Sequence, residues 1–250
     1  GEGRYYGDSG ASGANNAGLG CGGGLPRFGQ ATGAFSLHAV GALAAMNEPQ
    51  TFAAAMRSDQ ANVVQTLALA FQDDPALSWI MPDPERRKAR LPRLFEILFN
   101  SDFPNGMILK SPRYETCSLW RAPGRADTGL WELVRSAVPM LQVFGSAIGK
   151  GIAISNALDA HHPKGFPFWY LHFVGVRPDF QGKGWGGSII REGLKRAARE
   201  GLPAYLETAT PQNVPLYLRL GFEIVEEWDV PDGGPHFWSM LRPVSANGPD

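Results

Sequence analysis

The sequence has few cysteines and almost no net charge. Its 250 residues include 2 Cys, 23 Lys+Arg and 24 Asp+Glu, which leaves a formal net charge of -1. Two cysteines cannot build a disulfide scaffold, so we expect a reducing, cytoplasmic location. The balanced charge argues against a nucleic-acid binder that works through a basic surface. There is no run of about 18 apolar residues, so we expect no transmembrane helix and no membrane partner.

Metal ligands and the usual nucleotide loop are also missing from the sequence. His161 and His162 are adjacent and would face apart on any regular element, and no cysteine or carboxylate lies at ligand spacing. A metal cofactor is therefore not predicted. The pattern G-x-x-x-x-G-K-[ST] does not occur, which excludes a Walker loop.

Glycine, in contrast, is abundant and unevenly distributed. The chain has 31 glycines, and 13 of them fall within residues 1–45. This segment has few large apolar residues and no sustained periodicity, so it cannot bury enough surface to offset its ordering entropy. We expect a disordered leader over 1–45 and a single domain over 46–250. A native start at Met46 is a further hypothesis, and a secretion signal is not favoured because no Lys/Arg cluster precedes the Ala-rich stretch before Met46.

The first half of the domain reads as helices with two short strands. Apolar residues recur with helical spacing from Val64 to Phe71, after a cap at Ser58 or Asp59. Pro75 should end this helix, and a second helix should run from Asp83 to about Phe99. Two strands are expected within 106–122, and 124–160 is expected to be a helical insertion.

The last third alternates between strands and helices. Phe168–Val176 has strand length and is aromatic and β-branched. A glycine-rich loop, an amphipathic helix that ends before Gly201, and a strand over 203–208 follow. A short helix ends at Gly221, and the strands 222–228 and 236–241 complete the predicted pattern.

A glycine loop between a strand and a helix can hold a phosphate. Helix N-termini present unpaired N–H groups and the positive end of the helix dipole. The glycines over 182–187 allow the backbone to approach phosphate oxygens and to adopt positive φ.

The sequence pattern of this loop is compatible with two kinds of binding site. Gly182-x-Gly184-x-x-Gly187 satisfies a dinucleotide fingerprint, and Glu207 lies 20 residues further on. Two features argue against the dinucleotide fingerprint. Gly182 is six positions after Val176, which is too far from the end of the strand, and the residues after Glu207 are not predicted to form further βα units. A nucleotide-binding oxidoreductase therefore stays as an alternative.

The other interpretation rests on a resemblance to a known family. Gln181-x-x-Gly184-x-Gly186 resembles the acetyl-CoA pyrophosphate loop of the GNAT N-acetyltransferases. That family's second signature, an Asn before a Tyr and then Gly-Phe, has its counterpart in Asn213, Tyr217 and Gly221-Phe222. Several stretches are most similar to the puromycin N-acetyltransferase group: 66–75, 161–164, 174–184, 206–208 and 213–217.

The resemblance implies a fold and a co-substrate. The GNAT fold is an α/β (α+β) fold, with a mixed, mostly antiparallel sheet flanked by helices and a splayed strand pair that binds acyl-CoA. Acetyl-CoA would be the co-substrate, with its pantetheine arm on Val174-Gly175-Val176 and its pyrophosphate on the glycine loop. The residues carried over to acetyl-CoA binding are Val174, Gly175, Val176, Gln181, Gly182, Lys183, Gly184, Trp185, Gly186, Gly187 and Asn213. Asn213 is only four residues before Tyr217, so an N-cap role is the alternative for it.

The resemblance also implies catalytic roles. Tyr217 occupies the general-acid position, and a tyrosine is protonated at neutral pH. Glu207 lies where several relatives keep a base, and a structural carboxylate is its alternative role. His172 is the rival base, and strand alternation predicts that it shares a face with Tyr170, Val174 and Val176.

The acceptor implied by the resemblance is a small-molecule primary amine. We expect Trp79, Trp131 and Met140 on the wall of its site, with Asp73 and Asp74 nearby, since apolar surface with a few carboxylates suits such an amine. No nucleic-acid partner is expected, and a homodimer is left open. A GNAT-fold module that binds acyl-CoA without turnover is the remaining alternative.

Overall fold

The computed structural model describes residues 50–126 and 130–244, without the side chains of 130–136. Residues Pro49–Asp250 form one compact unit. The expected leader over 1–45, the start at Met46 and the side chain of Trp131 lie outside the described residues.

A mixed sheet runs through the middle of the domain. Its order is β1-β2-β3-β4-β5-β7-β6, and neighbouring strands are antiparallel except for β4 and β5. The strands are β1 (Ala53–Ala54), β2 (Gly106–Lys110), β3 (Thr116–Arg121), β4 (Trp169–Val176), β5 (Ala204–Thr208), β6 (Glu223–Asp229) and β7 (His236–Arg242). This is the mostly antiparallel sheet that was expected, with the two-residue strand β1 as an addition.

Helices cover both faces of this sheet. They are α1 (Gln60–Ala70), α2 (Pro75–Ile80), α3 (Pro84–Asp102), α4 (Leu130–Phe144), α5 (Ile148–His161), α6 (Trp185–Arg199) and α7 (Val214–Arg219). Pro75 begins α2 instead of ending α1, because Asp74 caps α2 by accepting a hydrogen bond from the Leu77 N–H. The apolar residues of α1 to α5 form one core, and those of α6 and α7 form a second core on the opposite face.

Strands β4 and β5 separate almost at once. Their parallel pairing comprises only Trp169 with Ala204 and Tyr170 with Tyr205. Beyond Tyr170, β4 continues to pair with β3, whereas its other edge faces no strand within the described residues. The expected splayed strand pair is therefore present.

A β-bulge at His172 interrupts the side-chain alternation of β4. Leu119 of β3 is opposite Phe173, and the next residue, Trp120, is opposite Leu171, so His172 is the extra residue. As a result, Phe173 packs in the core under α1 and α3, whereas Val174 packs in the core under α6. His172 shares a side with Tyr170, as predicted, but its predicted alignment with Val174 and Val176 is wrong.

The expected helical insertion consists of α4 and α5, separated by the 3-10 turn Gly145–Ala147. Within the described part of the chain, Ala137–His161 is long and apolar enough to cross a membrane by length and composition. The expectation of no transmembrane helix therefore stays a prediction. Length and composition alone are weak evidence for a span. Val138, Leu141 and Ile152 are its large exposed apolar side chains.

Helix α6 packs against the sheet through a glycine. A Cβ atom on Gly193 would lie 2.4 Å from the ring of Trp120, which is fully buried. The close approach of helix and strand therefore requires glycine at this position.

We predict that Gly193→Ala lowers the free energy of unfolding by about 1–3 kcal/mol, because the added methyl group overpacks the core. Chemical denaturation measures this change. Gly149→Ala is the matched control, since the space around Gly149 in α5 is open. There, alanine should leave stability unchanged or raise it by up to about 1 kcal/mol. Equal stability of the two variants would contradict the prediction.

Candidate active site

A cleft of about 880 Å³ opens where β4 and β5 part. The cleft is lined by α1, α2, α5, β4, the glycine loop, α6, β5 and α7. Of the predicted site residues, all except Lys183 line it: Tyr217, Glu207, His172, Val174, Gly175, Val176, Gln181, Gly182, Gly184, Trp185, Gly186, Gly187 and Asn213. Residues that are far apart in the sequence thus meet in one cavity.

The glycine loop presents backbone amides to this cleft. Gly182 and Gly184 have φ of 72° and 82°, the left-handed region that favours glycine. Gly184 precedes the first turn of α6, whose N–H groups have no partner within an α-helix. Gly186 and Gly187 lie in the first turn of the helix, close to the side chains of Val176 and Leu216. Together these features form a helix N-terminus of the kind that can bind an anion.

Two predicted loop contacts differ from expectation. Lys183 does not line the cleft, because its Nζ donates to the Asp179 carbonyl at 2.8 Å and lies over the Phe180 ring. Asn213 lies at the N-cap position of α7, but its side chain makes no capping hydrogen bond. The alternative N-cap role for Asn213 is therefore wrong, whereas its place in the cleft remains.

Tyr217 lies on α7 and is 5% exposed. Burial, with a smaller contribution from the charge of Asp74, raises the pKa of Tyr217 above its usual value. The phenol is therefore protonated at neutral pH and can donate a proton to a leaving group.

Glu207 is almost completely buried, with its side chain 1% exposed. Neither carboxylate oxygen has a hydrogen-bond partner among the described residues, and His162 Nε2 lies 3.4 Å from Oε1. Burial raises the pKa of Glu207 to about 7, against the opposing effects of His162 and the nearby hydroxyl groups of Tyr170 and Tyr205. The pKa of this carboxyl group therefore lies near neutral pH, although both of its oxygens are buried.

His172 is more accessible than Glu207. Its side chain is 15% exposed, and its Nδ1 lies 2.7 Å from Oδ2 of Asp102. Asp102 is fully buried at the end of α3 and accepts a second hydrogen bond from Arg121 Nε at 2.7 Å. Burial alone would raise the pKa of Asp102, but His172 and Arg121 outweigh it and lower that pKa. Asp102 is therefore ionised at neutral pH.

The far wall of the cleft is apolar with carboxylates at its edge. Asp73 is exposed there, and burial raises the pKa of Asp74 against the opposing hydrogen bond from Leu77. Trp79 and Met140 pack against the core instead of lining the cleft, so the prediction for these two residues is wrong. The apolar lining comes from α2 and α5: Ala76, Leu77, Ile80, Ile154 and Leu158.

Within the described residues, no group of three or more His, Cys, Asp or Glu could hold a metal ion. The strands that the structure describes also lack the parallel run that a dinucleotide-binding fold requires, since β4 and β5 are their one parallel pair of neighbours. The glycine loop thus belongs to a different architecture.

Comparisons with known proteins bear on this architecture. A model of the acetyltransferase (GNAT) family matches residues 145–222. An uncharacterized N-acetyltransferase from Schizosaccharomyces pombe is 27% identical over 174 residues, which is 66% of this chain and 70% of that protein. A solved structure from Corynebacterium glutamicum, described as histone acetyltransferase HPA2 and related acetyltransferase, is 26% identical with a TM-score of 0.60. The match covers 79% of this chain and 98% of the Corynebacterium glutamicum chain.

These matches support the assignment of this chain to the GNAT acetyltransferase family. They also confirm the GNAT fold predicted from the sequence. A further solved structure, arylalkylamine N-acetyltransferase 2 from Aedes aegypti, has a TM-score of 0.57 at 14% identity. This match covers 79% of this chain and 100% of the Aedes aegypti chain. At that identity it shows the GNAT fold alone.

Sequence reasoning missed Asp102 and Arg121. They lie 70 and 51 positions before His172, on α3 and β3, and no local motif connects them. The available signal was a charged residue at the end of an amphipathic helix, which by itself is typical of a solvated surface.

We predict that the stability of the wild-type protein falls as pH rises from about 4.5 to about 7, relative to Glu207→Gln. The pKa of Glu207 rises on folding from 4.5 to about 7, so the unfolded chain loses this proton at lower pH than the folded protein. Ionised Glu207 therefore destabilises the fold, by roughly 1–3 kcal/mol above pH 7. Denaturation of both proteins at pH 5 and pH 8 measures the difference. A pH-independent difference would contradict the buried, titrating carboxyl group.

Proposed function

We propose that this protein transfers the acetyl group of acetyl-CoA to the primary amine of a small molecule, by direct attack within a ternary complex. One observation carries the proposal. The free edge of β4, the amides of the glycine loop and the phenol of Tyr217 all line the cleft between the parted strands. An extended thioester lying along β4 would have its phosphates at one end and a proton donor near its sulfur.

The loop and strand supply the binding of CoA. The N–H groups at the start of α6 would bind the pyrophosphate. The edge of β4 over 174–176, which pairs with no described strand, would pair with the pantetheine arm as an added strand once the arm displaces Gln181 Nε2 from the Val176 carbonyl. Backbone N–H groups on that edge can also stabilise the thioester oxygen as it becomes an oxyanion. Binding through backbone amides is consistent with the near-neutral charge of the chain.

The amine requires a base, because an ammonium group with a pKa near 10 is about one-thousandth neutral at pH 7. The geometry favours His172 over Glu207. The imidazole is partly exposed in the cleft and fixed by Asp102, whereas both oxygens of Glu207 are buried. We therefore assign the base to His172 and a structural, titrating role to Glu207. Tyr217 is assigned as the general acid that protonates the departing CoA thiolate.

The acceptor should carry an apolar body beside its amine. The wall from α2 and α5 offers aliphatic side chains, and Asp73 and Asp74 offer negative charge for an ammonium group at its edge. We further propose a place in the puromycin N-acetyltransferase group and a cytoplasmic location. The support is the set of matching stretches around 66–75 and 174–184 and the low cysteine content.

We expect acetyl-CoA to bind measurably by calorimetry, and NAD not to bind. A thiol-release assay with benzylamine, 2-phenylethylamine, hexylamine, agmatine and lysine should show turnover, fastest with the apolar amines. Binding of NAD without acetyl-CoA would favour the oxidoreductase alternative. Binding of acetyl-CoA without thiol release from any amine would favour a binding module.

We predict that Tyr217→Phe lowers kcat by about 100-fold or more and leaves the Kd for acetyl-CoA within a few-fold, because only the proton donor is removed. Tyr114→Phe is the control, since Tyr114 is a described tyrosine outside the cleft whose hydroxyl donates to Asp59. It should keep its rate within twofold. If the kcat of Tyr217→Phe is also within a few-fold of the wild-type value, the assignment of Tyr217 as the general acid is wrong.

A further inference from the structure

Behind His172 lies a buried ion pair between Asp102 and Arg121. Asp102 accepts from Arg121 through Oδ1 and contacts His172 through Oδ2, each at 2.7 Å. Arg121 is held in turn by Ser101 Oγ at 2.7 Å and by the Ala126 carbonyl at 3.2 Å. Both Asp102 and Arg121 are nearly inaccessible to solvent, at 0% and 3% side-chain exposure.

We propose that Asp102 is a positioning residue for acetyl transfer. It holds the His172 ring in the tautomer with its proton on Nδ1, so that Nε2 is the ring nitrogen that accepts the proton of the acceptor amine. It also stabilises the imidazolium that forms when His172 takes the ammonium proton. This inference rests on the proposed function, in which His172 is the base.

The tautomer follows from the charge on Asp102. An ionised carboxylate can only accept hydrogen bonds, so the ring nitrogen 2.7 Å from Oδ2 must be the one that carries hydrogen. The other nitrogen of a neutral imidazole is then an acceptor. Arg121 Nε is the second partner of this carboxylate and donates to Oδ1 at 2.7 Å, so each oxygen of Asp102 has its own partner.

The bulge and its neighbours fix the plane of the ring. His172 is the extra residue of β4, and its ring centroid lies 4.2 Å from that of Phe173 and 5.3 Å from that of Tyr170. These contacts leave 15% of the side chain exposed. A ring held by packing on two sides and by Asp102 on a third has little rotational freedom.

The protons balance in this scheme. One N–H bond of the ammonium group breaks as Nε2 of His172 gains that proton, and the neutral amine then attacks the thioester carbon. The C–S bond breaks, and the second amine proton reaches the CoA sulfur through Tyr217. His172 releases the first proton to solvent, while Asp102 stays ionised throughout. The net products are the amide, CoA thiol and one proton.

Other titratable groups near the ring must be separated from it in a pH profile. Tyr170 packs beside His172, Asp102 and Arg121 lie behind it, and Glu207 and Asp74 line the same cleft. Because the pKa of Glu207 is raised to about 7, the acid limb of the rate profile is assigned by comparing wild type with Glu207→Gln. The limb should persist in that variant if His172 produces it.

The first test uses the wild-type protein and needs no substrate. Long-range ¹⁵N–¹H NMR of the histidine rings should show His172 as the Nδ1–H tautomer above neutral pH, with His172→Gln used to assign its signals. An Nε2–H tautomer would overturn the proposal. This measurement also decides the proposal if Asp102→Asn fails to fold.

The second test is a double-mutant cycle with acetyl-CoA and the fastest amine of the panel. Asp102→Asn should lower kcat at least 100-fold in the wild-type background and less than threefold in the His172→Gln background, because Asp102 acts through the ring. Its remaining acid limb should move to lower pH, since the neighbouring negative charge is gone. The Kd for acetyl-CoA should stay within threefold.

The matched control is Glu115→Gln. Glu115 is also a buried carboxylate with an arginine partner, Arg113 at 2.9 Å, but it does not line the cleft. Its rate should stay within threefold. An equal loss from Asp102→Asn in both backgrounds would overturn the proposal, because it would indicate a purely structural role. Absence of acetyl transfer by the wild-type protein would instead refute the proposed function, and the NMR result would still decide the role of Asp102.

Discussion

The short pairing between β4 and β5 is the constraint on which the rest of the structure depends. Two residue pairs, Trp169 with Ala204 and Tyr170 with Tyr205, join the two strands before they diverge. Unpaired backbone groups are costly when buried, so a strand edge of this kind is stable only where water or a ligand can reach it. The separation therefore creates the cleft, and α6 and α7 on one face and α1, α2 and α5 on the other become its walls.

The two buried carboxyl groups of the site show how environment decides charge. Asp102 has a guanidinium and an imidazole as partners, and its pKa is lowered despite burial. Glu207 has one histidine at 3.4 Å and no hydrogen bond within the described chain, and its pKa is raised to about 7. A carboxyl group is therefore ionised at neutral pH at Asp102, beside β4, whereas the carboxyl group of Glu207 on β5 has a pKa near neutral pH.

The sequence predicted the parts of the site that lie within local motifs. Gly184 and Gly186 indicated the loop, and Tyr217 and Phe222 indicated the helix and strand that follow, because backbone conformation there is set by neighbouring residues. The sequence could not predict the bulge at His172, because the strand is aromatic and β-branched on both sides of it and its residue pattern does not show an extra residue. It also could not pair His172 with Asp102, because that contact depends on where α3 ends against the sheet.

The bulge in β4 matters for any residue-by-residue comparison of related chains. A single extra residue at His172 reverses which side chains of the strand face each core, so Leu171 and Phe173 lie on opposite faces although they are two positions apart. A homologue with one residue fewer there would align well in sequence on either side of the gap. Its strand would nevertheless have a different residue in front of the buried aspartate, and homologues with very similar sequences could differ in the group that accepts the proton.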